Sequence, residues 1–165
     1  MITAVGPIDI YGAPFITSLF EGLPSNLDKV FVGKCTDVDY TYLEGELLKT
    51  CKWYPEASRH LISDIASKTS IYVHLNCKDI NPLYFTTFAL SGAWVFASKN
   101  DIVFNEYKSI SRFANVSDAT LMIEKQLEGN ELVDPNVVYP DIIEKHSLDA
   151  FKKSLQKTFW EISNV

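Results

Sequence analysis

Ser70-Ile-Tyr-Val-His-Leu-Asn76 places Ile71, Val73 and Leu75 on one side of an extended chain and Tyr72, His74 and Asn76 on the other. That period of two is the pattern of a half-buried strand, because successive side chains of a pleated backbone leave opposite faces. Downstream, Leu83-Tyr-Phe-Thr-Thr-Phe-Ala-Leu90 is rich in aromatic and β-branched residues, which suit a pleated surface, and Ser91-Gly92 punctuates its end. Ala93–Ser98 and Ile102–Tyr107 flank Lys99-Asn100-Asp101, a hairpin signal. With Asn100-Asp101 as the central turn residues, Ala97 faces Phe104 and Trp94 faces Tyr107. Trp94, Phe96, Val103 and Tyr107 then share one face, and Val95, Ala97, Ile102 and Phe104 the other. Two apolar faces need cover on both sides, and helices from the rest of the chain are the natural cover. The expectation is an α+β fold: a mainly antiparallel β-sheet of roughly four to six strands with packed helices, in a single domain spanning residues 1–165.

Upstream of this stretch, Met1–Val5 and Lys29–Gly33 read as strands. Pro14–Gly22 reads as a short helix whose apolar stripe is Phe15, Ile16, Leu19 and Phe20. Thr41-x-x-Glu44 matches a capping box for a helix running to about Cys51. Tyr54-Pro55 ends that helix, and a second one runs from Pro55 to about Lys68, so an αα-hairpin is expected to lead into the strands. Beyond Tyr107, Ser117 is placed to cap a helix that ends near Glu128-Gly129, where the glycine can take up a left-handed cap. Glu131–Pro140 reads as an irregular connection. Ser147 caps a last helix in which Leu148, Phe151, Leu155, Phe159 and Ile162 recur at helical spacing.

One hundred and sixty-five residues are enough for a core without covalent staples. Three widely spaced cysteines (Cys35, Cys51, Cys77) form no CxxC pair, and neither a signal peptide nor an apolar run of membrane-spanning length is visible. These features indicate a cytoplasmic protein. A net charge of −6 without a basic stripe argues against nucleic acid and against an anionic membrane surface. It is compatible with a basic protein partner.

Local motifs for chemistry are absent. Neither GxGxxG nor GxxxxGK[ST] occurs, and no cysteine or histidine pair has zinc spacing, so no cofactor and no metal is expected. His60 and Asp64 stand at i and i+4, the arrangement of an oriented base but also of an ordinary surface pair. His74 lies on the Tyr72 side of its strand, where it is either a ligand or base or a satisfied sheet residue. Asp37, Asp39, Glu44 and Glu46 form one acidic cluster, with Trp53-Tyr54 following it. Glu124, Glu128, Glu131 and Asp134 form another, and Trp160 lies on the outer side of the last helix. Tryptophan and tyrosine are enriched at interface hot spots.

With no catalytic constellation, the residues point to a non-catalytic acidic binding protein, in concrete form an immunity-type inhibitor that occludes a basic toxin such as a nuclease. The partner-binding set is Asp37, Asp39, Glu44, Glu46, Trp53, Tyr54, Glu124, Glu128, Glu131 and Trp160. The alternative is a small enzyme or ligand-binding protein whose site is assembled by the fold around His74, His60 or a cysteine.

Overall fold

The structure, a computed structural model, describes residues 1–6, 12–33, 45, 49–75, 82–129 and 139–163. Six strands form one sheet: β1 (Ile2–Val5), β2 (Lys29–Val32), β3 (Lys52–Tyr54), β4 (Ile71–His74), β5 (Trp94–Ser98) and β6 (Ser111–Phe113), in the spatial order β3-β2-β1-β4-β5-β6. Every pairing is parallel; Ile2 lies beside both Lys29 and Ile71, and Ile71 beside Trp94. The helices are α1 (Gly12–Gly22), α2 (Arg59–Lys68), α3 (Pro82–Leu90), α4 (Val116–Glu128), α5 (Pro140–His146) and α6 (Leu148–Ser163), with a 3₁₀ helix at Ile102–Glu106. This is a Rossmann-like α/β fold, and it replaces the mainly antiparallel α+β architecture expected from the sequence.

Strand composition explains the outcome. A parallel sheet is covered on both faces, so its strands read as apolar runs rather than strict alternations. All four residues of β1 and of β4 are buried, Tyr72 and His74 included. One face carries Ile2, Ala4, Phe31, Ile71, Val73, Phe96 and Phe113. It packs on Ile16, Leu19 and Phe20 of α1 and on Ala119 and Ile123 of α4. The other carries Val5, Val30, Val32, Tyr72, Val95 and Ala97. It packs on Ile62, Ile65 and Ala66 of α2, on Phe85, Phe88 and Ala89 of α3, and on Ile142 of α5. Between these layers the buried Thr69 hydroxyl donates to Ile65 O (2.7 Å), so the Thr3 hydroxyl 2.8 Å away is the donor of their pair.

Three local expectations fail for identifiable reasons. Leu83–Leu90 lies in α3 rather than in a strand. Its C-terminus closes in a Schellman arrangement, with Ala93 N donating to Phe88 O (3.1 Å) and Gly92 N to Ala89 O (3.0 Å), and Gly92 has φ 92°. That glycine fixes the helix end more firmly than β-propensity opposes the helix. The Ala93–Tyr107 hairpin is also absent. β5 is present, but Asp101, Phe104 and Tyr107 form a chain of i+3 contacts through a 3₁₀ turn, with Phe104 N bonded to Asp101 O and Tyr107 N to Phe104 O. All three side chains are buried, because residues three apart stack on one side of a 3₁₀ helix. The αα-hairpin gives way to β3, whose edge position follows from Lys52–Tyr54 pairing with Val30–Val32 alone.

Smaller differences concern caps. Asn115, not Ser117, caps α4 by accepting from Asp118 N (2.9 Å), and Gly129 has φ −73°, outside the left-handed region. Ser147 does cap α6, accepting from Ala150 N (3.1 Å). Most of the expected Thr41–Cys51 helix and of the Glu131–Pro140 connection lies outside the described residues. The apolar stripe of α6 is open to solvent at Leu148 (66% exposed), Phe151 (59%) and Leu155 (41%).

Tyr139 closes a gap in β5. Val95 N, one residue before the pairing with β6 begins at Phe96, donates to the Tyr139 hydroxyl (2.6 Å) in a buried setting. Tyr139→Phe leaves that amide unsatisfied and is expected to cost about 2 kcal/mol, the usual penalty for a buried orphan donor. Urea denaturation of the variant checks this.

Candidate functional site

From β1 the chain steps to β2 and β3 on one side of the sheet, then crosses to β4 and proceeds to β5 and β6 on the other. The helices that follow β1 and β4 therefore diverge, α1 packing on one face of the sheet and α3 on the other. In open parallel sheets that divergence opens a crevice, and ligands bind there.

The crest of the sheet at this point is built from Gly6, Gly33, Leu75 and Lys99. Each follows a strand and extends its pairing by one bond: Gly6 N to Val32 O (3.2 Å), Gly33 N to Tyr54 O (3.0 Å), Leu75 N to Val5 O (3.3 Å) and Lys99 N to Phe113 O (2.8 Å). Gly6 and Gly33 meet so closely that a Cβ on Gly33 would stand 1.7 Å from Gly6 O. Trp53 Nε1 donates to Gly33 O (2.9 Å) and closes this corner.

His74 ends β4 directly below the crest and is 3% exposed. Its Nδ1 lies 2.8 Å from the Tyr72 hydroxyl, and its ring meets Phe104 edge-on at 4.8 Å. Nε2 stands 3.6 Å from Asp101 Oδ2 and makes no hydrogen bond among the described residues. Burial pushes its pKa down to about 4, so the ring is neutral at pH 7 and its contact with Asp101 is not a charge pair. Asp101 in turn sits in a loop held by Arg112 of β6. The guanidinium donates to Ser98 O from Nε (3.0 Å) and Nη2 (2.7 Å), to Lys99 O (3.1 Å) and to Asp101 O (2.6 Å). Nη1 reaches Asn105 Oδ1 (3.2 Å). One side chain thus fixes three carbonyls, those of Ser98, Lys99 and Asp101, in the loop beside the crevice.

Among the described residues singled out from sequence, the fold brings His74 and Trp53 to this crest. His60 is exposed on α2, and Asp64 pairs with Lys68 (2.8 Å) instead. Cys51 is half-buried and its thiol is pushed up to about 11 by burial, which makes it a poor nucleophile. Trp53 and Tyr54 are half-buried on edge strand β3, and their packing against the two core layers argues against a role as exposed anchors. Glu124 is half-buried and Glu128 exposed on α4. Asp37, Asp39, Glu44, Glu46, Glu131, Cys35 and Cys77, and the side chain of Trp160, lie outside the described residues. Arg112 and Asp101 were missed as site-forming residues. Arg112 carried one signal, a strong donor between the strand-like Ser111 and Phe113. Among the described residues no group of three or more His, Cys, Asp or Glu could hold a metal ion, and no helix is long and apolar enough to cross a membrane.

No protein-family model matches the chain, and no curated protein matches it by sequence. Solved structures do. Anabaena Alr3699/HepE in complex with UDP and glucose superposes with a TM-score of 0.74 at 12% identity, covering 99% of this chain and 48% of that one. OtsA in its apo form gives 0.64 at 12% identity, with 95% and 42% covered. The E. coli trehalose-6-phosphate protein bound with UDP-2-fluoro glucose gives 0.60 at 14% identity, with 95% and 43% covered. The chain therefore spans just under half the length of the structures it matches. At these identities the likeness establishes the fold. Two of these neighbours hold UDP or a UDP-sugar, and they overturn the expectation of an immunity-type inhibitor and of a basic toxin partner.

Proposed function

We propose that this chain is one α/β unit of a glycosyltransferase and that it binds a nucleotide sugar of the UDP-glucose kind at the β1/β4 crevice. The observation that carries the reading is the strand order β3-β2-β1-β4-β5-β6, all parallel, which puts the topological switch point at the carboxyl ends of β1 and β4. The neighbours' ligands supply the substrate class. In such a transfer the bond between the sugar's anomeric carbon and the diphosphate oxygen breaks, the diphosphate leaves with the electron pair, and an acceptor hydroxyl oxygen takes the sugar while its proton passes to the leaving diphosphate or to solvent.

This chain's part is binding and orientation. Gly6 and Gly33 carry no side chain to obstruct the crest, the Arg112-held loop forms one wall, and the exposed Lys99 brings a cation next to where a diphosphate would lie. The chain matches less than half of each neighbour, so the acceptor and the remaining walls belong to a second unit in this reading. The cytoplasmic location expected from the sequence stays part of the proposal.

Calorimetric titration with UDP, UDP-glucose and glucose tests it. Saturable binding of UDP and UDP-glucose with a Kd below about 1 mM, worth about 4 kcal/mol or more, and none of glucose alone is the expected result. No saturable binding of either nucleotide would overturn the proposal.

A further inference from the structure

Tyr72, His74 and Asp101 form a buried polar file beneath the crest, where apolar side chains would cost less. We infer that His74 is the positioning residue of the crest loop: oriented by the Tyr72 hydroxyl, its imidazole presents Nε2–H to Asp101 and fixes the Lys99–Asp101 turn at the rim of the crevice.

The argument is one of donors and acceptors. Nδ1 and the Tyr72 oxygen are 2.8 Å apart, so exactly one proton lies between them. If Nδ1 carried it, the Nε2 lone pair would face a carboxylate oxygen 3.6 Å away, acceptor against acceptor in a water-poor site. If Tyr72 donates it, Nε2 carries the ring's own proton and both contacts are attractive. The ring cannot turn away to relieve the choice, because Phe104 packs edge-on against it and Tyr72 is itself stacked on Phe88 at 4.5 Å.

The turn above is held at its carbonyls by Arg112, which sets its height, and by Asp101 N bonded to Ser98 O (3.1 Å). On the turn itself Arg112 grips main chain only, at Ser98 O, Lys99 O and Asp101 O. The contact with His74 adds the inward orientation of Asp101 and with it the direction in which Asn100 and Lys99 project. Among the described residues, the groups facing His74 from the elements packed on it are Tyr72 of β4, Asp101 of the turn and Phe104 of the 3₁₀ helix.

The consequence for nucleotide binding rests on the function proposed above; the tautomer and the loop geometry do not. Side-chain ¹⁵N NMR of the labelled chain, with Tyr72→Phe and His74→Phe beside it, tests both. The expected spectrum has one histidine, absent in His74→Phe, with a protonated Nε2 and a bare Nδ1. In Tyr72→Phe, which keeps the stack on Phe88, Nε2 stays protonated because Asp101 still faces it, but the ring loses its Nδ1 anchor and the amides of residues 99–101 shift. UDP affinity in that variant falls by about tenfold, and the melting temperature falls by the few degrees that one orphaned buried acceptor costs.

An Nδ1-protonated His74, the form required if Asp101 carries the proton and donates to Nε2, overturns the inference. So do amides at 99–101 that are unmoved in both variants. If the wild-type chain binds no UDP, the proposed function fails while the spectral arm still decides the role of His74.

Discussion

Gly33→Ala is expected to destabilise the fold by about 3 kcal/mol or more, at or beyond the upper end of ordinary overpacking costs. The added Cβ would lie 1.7 Å from Gly6 O, 2.9 Å from Gly6 C and 2.9 Å from the tip of the Phe31 ring. A side-chain terminus could swing aside, but a backbone carbonyl in a sheet cannot. Gly6 N is bonded to Val32 O, Gly33 N to Tyr54 O, and Gly33 O receives Trp53 Nε1. Relief therefore requires the carboxyl ends of β1 and β2 to part, breaking bonds that define the crest. For a chain whose whole stability is of the order of 5–15 kcal/mol, this is a large fraction. Urea denaturation followed by circular dichroism reads it directly as a lower midpoint. Gly22→Ala is the control, because its Cβ meets nothing closer than Thr120 Oγ1 at 3.4 Å. If the two variants denature alike, the close approach of Gly6 and Gly33 is wrong.

Acidification from pH 7 to pH 4.5 is expected to remove up to about 3 kcal/mol through His74 alone. Burial lowers its pKa to about 4 in the folded chain, against about 6.5 when unfolded. The unfolded state therefore takes up a proton first. The stabilising effect is complete above pH 6.5, is lost steadily as the pH falls from there, and levels off near pH 4, where the folded state protonates too. His146 is lowered by burial as well, and adds in the same direction with less effect because it is largely exposed. Asp141, which burial raises but hydrogen bonds from Ser109 pull lower on balance, titrates below this window. Denaturation midpoints at pH 7 and pH 4.5 for the wild type and for His74→Phe separate the contributions. The wild type should lose markedly more than the variant, and equal losses would remove His74 as the acid-sensitive group.

Much of the fold was legible in the chain as separate pieces. The apolar runs of β1, β2, β4 and β5 announce themselves, as do the helices that became α1, α2, α4 and α6. What the residues did not reveal is direction. A lone strand carries no mark of whether its neighbour runs parallel, and the decisive information is how long the connections are and what they contain. Reading Leu83–Leu90 as a strand and Ile102–Tyr107 as the hairpin partner of Ala93–Ser98 removes the crossover helix after β4 and the long path from β5 to β6, and with them the signs of a parallel sheet. The spacing of Asp101, Phe104 and Tyr107 was present in the sequence, but a period of three was not weighed against the period of two.

The site was less legible still. His74 stands out in the sequence, but Asp101 reads as a turn tip and Arg112 carries little signal, since His74 and Asp101, 27 apart in sequence, meet only through the fold. The acidic and aromatic surface chosen instead rested on net charge, which reports solubility as readily as partnership.

The central claim is that the ligand site lies at the carboxyl ends of β1 and β4. The most direct measurement is a ¹H–¹⁵N amide map of the chain titrated with UDP-glucose. The account predicts saturating shifts concentrated at Gly6, Gly33, Leu75 and Lys99–Asp101. Shifts concentrated at the opposite edge, around Lys29, Lys52 and Lys68, or no shifts at all, would contradict it.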